Sequence, residues 1–299
     1  MILRLCARRI DRLLREQLLA GGDVPTADFL NPPGEPALAE PDSVSWRIFR
    51  NPLALYLGGI TAVLLELAEP RVRTGVWEHT SFRTDPLRRM RRTGLAAMVT
   101  VYAARSVAGE MIDGVGRMHK RVSGVTPDGT PYRADDPELL RWVHATALFG
   151  FMQAYHRYVC PLSADERDPF IAEGVPAARL YGAIDPPESE SGLMGLFAEM
   201  EPRLEASSII DEFLDIMGRL AIFPKPMRPL NHGLIAAAIG LLPEAIRGRL
   251  GLSDDGPPVL PVRVLIGAAG RAGDHLHLAS SPASEACVRM GLPADFLKP

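Results

Sequence analysis

Apolar residues recur at helical spacing along most of the chain, and prolines mark where one run stops and the next begins. Between residues 2 and 20, Ile2, Leu5, Ile10, Leu13 and Leu14 alternate with arginines, as on an amphipathic helix. Residues 21–41 are rich in Gly, Pro and Ala and predict an extended connector. Asn51-Pro52 places a capping side chain before a proline at the first helical position. The helix it opens ends near Glu69-Pro70 and is apolar nearly all round, which puts it in the centre of the fold. Asp85-Pro86 opens a second helix, with Arg88, Arg89, Arg91 and Arg92 on its first turns and an apolar run from Leu95 to Tyr102. Asp136-Pro137-Glu138 opens a third, stopped by Cys160-Pro161.

Further helices are expected over residues 163–173, 191–201, 207–221, 234–250 and 262–272, while residues 222–229 hold too many prolines to be helical. No run alternates with the period of a strand, and no repeat of roughly 20–50 residues is present. The predicted fold is therefore all-α, a single-domain multi-helix bundle. Its expected parts are an N-terminal amphipathic helix and linker (residues 1–40), a helical main domain (41–255) and a C-terminal extension packed on the same domain (256–299).

The 299 residues, 47% of them hydrophobic and 23% charged, are enough for a sizeable core. A net charge of -3 gives no sign of a nucleic-acid partner, although the arginine cluster at 88–92 and the basic stretch at 117–121 leave local anion binding open. Cys6, Cys160 and Cys287 are far apart and form no C-x-x-C pair, which argues against a disulfide framework, a zinc knot and covalently attached haem. Charges interrupt the first residues every few positions, so no signal peptide is expected. The longest apolar run contains Gly58-Gly59 and Glu66 and predicts no stable membrane span. A soluble, cytoplasmic protein is the expectation.

The candidate chemistry gathers between Arg117 and Tyr158. On the helix from Asp136, Leu140, His144, Leu148, Phe151 and Tyr155 fall on one face, so an imidazole is carried into an apolar stripe. Such a histidine is either a core residue bonded to a backbone carbonyl or a ligand to a metal or haem iron. His156 lies about 120° around the helix from His144 and cannot share a metal with it. There is no Glu-x-x-His pair of a di-metal bundle, no H-E-x-x-H, no Walker loop and no G-x-S-x-G elbow. Gly267-x-x-Gly270-x-x-Gly273 has the wrong spacing for a nucleotide loop and reads as a packing or loop feature. His275 and His277, in a polar tail, are expected to be solvated, and His232 has no evident partner.

Several segments together resemble the DUF2236 family, which includes latex-clearing rubber oxygenases and the mycophenolic-acid-pathway oxygenase that cleaves a prenyl chain. They are Pro41-Asp42-Ser43-Val44-Ser45-Trp46, Glu69-Pro70, Gly75-Val76-Trp77-Glu78-His79-Thr80-Ser81-Phe82, Arg117-Met118-His119-x-x-Val122-x-Gly124 and Leu241-Leu242-Pro243. The most specific is Tyr132-x-Ala134-x-Asp136-Pro137-x-Leu139-Leu140-x-Trp142-Val143-His144-Ala145-Thr146. The resemblance covers about residues 40–255. It implies a mostly helical fold with non-covalent haem b in a pocket between helices and a histidine as axial ligand, a role that falls on His144.

Relatives supply a lysine or a histidine from the other side, so the second ligand is His119, with Lys120 as the alternative. Arg121 stands where the rubber enzymes carry threonine. Arginines would pair with the propionates, with Arg121 counted among the cofactor-binding residues, and His79 would lie on the substrate side or behind a ligand. Glu110, seven residues before Arg117, is the candidate for the glutamate base of the rubber enzymes, with Arg117 beside it. The implied activity is that of a haem-b-dependent oxygenase or peroxygenase using dioxygen or peroxide on a hydrophobic small molecule. The alternatives are a haem protein for sensing, storage or electron transfer, and a helical interaction protein without cofactor.

Overall fold

The computed structural model describes residues 27–220, 228–252, 258–276 and 278–298. The expected helix over residues 2–20, Cys6, most of the proline-rich crossing and His277 lie outside the described residues. What is described is helical apart from one small hairpin.

The predicted cap-and-proline starts are all used. Ser43 caps α1 (Val44–Phe49), and the Asn51 side chain accepts from Leu53 N and Ala54 N at the head of α2 (Pro52–Ala68). Glu69-Pro70 ends α2 but also starts α3 (Pro70–His79): the Glu69 carboxylate accepts from Val72 N at 2.8 Å, and the chain turns by 109°. Asp85 caps α4 (Pro86–Tyr102), after which α5 runs over Arg105–His119. Strands β1 (Ser123–Val125) and β2 (Pro131–Arg133) pair antiparallel around a turn in which Gly129 takes φ +93. Three-residue strands are too short to show alternation in the sequence. Asp136 then caps α6 (Pro137–Tyr158), the longest helix described.

The remainder is α7 (Ala164–Glu173), α8 (Val175–Tyr181), α9 (Glu190–Met200), α10 (Ser208–Arg219), α11 (Arg228–Ile239), α12 (Glu244–Arg249), α13 (Leu260–Asp274) and α14 (Pro282–Arg289). Two expectations are corrected. The helix expected over residues 234–250 breaks before Pro243 into α11 and α12, and α11 begins at Arg228, where Pro229 in the first turn gives up no hydrogen bond.

The centre is the pair α2 and α6. They cross where two glycines meet: a Cβ added to Gly150 would lie 2.3 Å from the Gly58 carbonyl oxygen, and one on Gly58 would lie 2.7 Å from Phe151 Cα. Any larger residue would push the backbones apart. Trp142 Nε1 donates to Leu65 O at 3.3 Å across the same seam. Helices α11 and α13 cover α2 from one side, where Thr61 Oγ1 donates to Ala238 O at 3.0 Å. Asn51 is fully buried, and its Nδ2 donates to Gly270 O at 2.9 Å.

Helix α1 is tied in by two partners. The Glu173 carboxylate accepts from Val44 N at 3.1 Å and Ser45 N at 2.8 Å, and Tyr102 donates to Trp46 O at 2.7 Å. The described part of the connector is pinned by Arg289, which donates to Phe29 O, Glu35 O and Tyr102 O. On the other side, α8 packs against α5, α6 and α7 and so fixes α5 relative to the central pair.

Candidate functional site

His144 lies in the second turn of α6, between Trp142, which is fully buried, and Thr146. Its Nε2 is closed off from solvent and has no hydrogen-bond partner. A buried imidazole normally bonds a carbonyl or hydroxyl, so this nitrogen is an exception that needs a reason. Burial alone pulls the ring down to about 4, leaving it neutral with a free lone pair at physiological pH. The ring lies against Gly174, where α7 gives way to α8; a Cβ there would sit 3.0 Å from Cε1 and 3.1 Å from Nε2.

A carboxyl group lies on the other face of α6, the one that packs on α2. Thr146, one half-turn beyond His144, is hydrogen-bonded to Glu66 of α2. Burial raises Glu66 to about 7, against the opposing pull of the Arg89 charge and the Thr146 bond. The Thr146 hydroxyl also lies 2.7 Å from Val143 O, to which it can donate. Arg89 is itself held below its ordinary value by burial, with Glu66 restoring part of the loss.

Arg89 also faces His119, on the last turn of α5. That half-buried imidazole is pushed down by burial first and Arg89 second, with Asp135 opposing. Glu66, Arg89, His119 and Thr146 thus link α2, α4, α5 and α6.

The other anticipated residues are placed apart. Glu110 and Arg117 are both exposed on α5, and helical spacing puts them roughly 160–180° from His119. Lys120, the C-cap of α5, and Arg121 are exposed. His79 is exposed at the end of α3, with Nε2 3.1 Å from the Tyr132 hydroxyl. His156 Nδ1 accepts from Leu162 N at 2.9 Å and closes the end of α6. No group of three or more His, Cys, Asp or Glu side chains poised for a metal ion occurs among the described residues.

Glu66, Arg89, Thr146 and Gly174 are site residues that sequence reasoning misses. Glu66 carries a visible signal, being the one acidic or basic residue in the helix Pro52–Ala68.

Residues 46–271 match the family described as the ER-bound oxygenase mpaB/B′/rubber oxygenase catalytic domain. Neither the curated proteins nor the solved structures contain a match.

Proposed function

The chain belongs to the family of mpaB/B′ and rubber oxygenase catalytic domains, and from that premise we propose that it is a haem-b-dependent oxygenase or peroxygenase acting on a hydrophobic small molecule, an alkene or lipid-like chain. The observation that carries the reading is the orphaned Nε2 of His144, a neutral nitrogen base buried beside Gly174 with nothing to bond. Haem brings its own ring of nitrogen ligands, so a single protein base, His144, would be enough to hold it without help from a side-chain cluster. Bound haem would supply a redox-active iron at which dioxygen or peroxide is activated.

The protein's own part is binding, orientation and proton handling. Gly174 leaves the His144 ring the room it occupies. Leu148, which meets Gly174 beside the ring, adds an apolar surface that suits a greasy substrate and excludes water. Glu66, at about 7, is balanced between acid and base near neutrality and can deliver or take a proton, with Thr146 orienting its carboxyl and Arg89 stabilising its ionised form. His119 is the candidate for a second base that would hold the haem, with Lys120 as the alternative. Haem held by both would suit the alternative of sensing, storage or electron transfer.

Haem titration of the purified protein should give a saturable absorption band at one equivalent. Oxygen uptake should then rise with prenyl or unsaturated fatty chains and not with polar analogues of the same size. Glu66→Gln should lower kcat by roughly 10²-fold or more with little change in KM, as loss of a proton-transfer group does. A haem-loaded protein that consumes neither oxygen nor peroxide with any apolar substrate overturns the oxygenase reading.

A further inference from the structure

The outer face of α13 inverts the usual arrangement of a surface helix. Its glycines and Ile266 face the body, while Leu260 is 61% exposed, Val264 59% and Leu265 52%. Gly270 lets the helix lie this low, because a Cβ there would come within 2.4 Å of the Tyr158 carbonyl oxygen. The helix is thus held by its small-residue face and leaves its large aliphatic side chains to the outside.

Beside these chains runs an open groove of about 310 Å³ between α13 and the end of α6, in which Arg157, Arg263 and Arg271 stand around Leu260 and Val264. None of the three arginines has an acidic partner among the described residues, and the nearby carboxylate of Asp274 is engaged by Arg50 and Tyr155. Arg157 and Arg263 both lie close enough to Tyr158 to act on its hydroxyl. The patch is therefore aliphatic at its crest and cationic along its flank.

We propose that this face of α13 docks on the surface of an anionic phospholipid bilayer. Leu260, Val264 and Leu265 would enter the boundary between headgroups and acyl chains, while Arg157, Arg263 and Arg271 reach along it to the phosphates. The charge pattern selects this occupant over a second copy of the chain. A two-fold contact through the same face would set the arginines of one copy against those of the other. The proposal stands on the surface alone and is independent of the haem reading.

The test is co-sedimentation of the full chain with extruded vesicles of phosphatidylcholine, with and without phosphatidylserine. The double variants Leu260→Asp/Val264→Asp and Arg263→Glu/Arg271→Glu change exposed or groove-lining side chains, and melting curves check that both remain folded. The expected result is binding to the anionic vesicles that weakens as salt is raised and falls by roughly tenfold or more in each folded variant. Vesicle binding unchanged in both variants, or no binding by the parent chain, overturns the proposal. So does a lipid-free dimer that the aspartate variant abolishes, since the face would then belong to a second copy.

Discussion

Glu66 titrates near neutrality because a carboxylate at that depth gives up hydration that one arginine and one hydroxyl only partly replace. Its folded value, about 7, stands above the ordinary 4.5, so the folded chain holds a proton that the unfolded chain releases between those limits. The group's contribution to stability is fully present below about pH 4.5 and is lost as pH rises through 7, by roughly 3 kcal/mol at most. Glu66→Gln removes that slope while the loss of a partner for Arg89 weighs equally at every pH. In urea unfolding, the variant should therefore gain on the parent between pH 5 and pH 8 by up to roughly 3 kcal/mol. An unchanged difference between the two pH values would show that Glu66 is not desolvated in the folded protein.

At the same scale, Gly174→Ala should crowd the His144 ring from 3.0 Å at a cost of about 1–2 kcal/mol in stability, and it should weaken haem binding more than it lowers the melting temperature. His144 is legible from the sequence alone because it interrupts an apolar stripe. The Glu66–Arg89 link is not, since the two sit on different helices and helical arithmetic relates positions only within one element. The same arithmetic does place Glu110 and Arg117 away from His119 on α5, as observed.

Helix starts are the most legible elements, because a capping side chain followed by proline has a local physical cause. Asn51-Pro52, Asp85-Pro86 and Asp136-Pro137 each open a helix. Glu69-Pro70 reads in the sequence as a stop and is also a start, because a proline that cannot continue one helix is well suited to the first turn of the next. The crossing of α2 and α6 is not legible, since nothing local distinguishes Gly58 from its neighbour Gly59. Geometry distinguishes them sharply, as a Cβ on Gly59 meets nothing within 4 Å while those on Gly58 and Gly150 collide with backbone. Gly150→Ala should cost upwards of about 2 kcal/mol in thermal or urea unfolding. Gly59→Ala should be neutral or stabilising by up to about 1 kcal/mol. Equal effects at the two positions would mean that the helices do not approach as closely as described.

Across the whole molecule, an all-α body follows from the spacing of apolar residues. The way distant segments clamp one another does not. Arg289 ties α14 to the connector and to the end of α4, and the Glu173 carboxylate caps α1 from the far end of α7. These ties and the close packing of α2, α6 and α13 hold the central pair, against which α8 sets α5. The proposed haem site depends on the His144 nitrogen as the base that would hold the iron. The most direct test is to remove the ring and return it from solution, by recording the absorption spectrum of haem-loaded His144→Gly with and without added imidazole. Loss of the parent spectrum in the variant and its recovery on adding imidazole is the predicted result; a haem spectrum unchanged in His144→Gly would contradict the account.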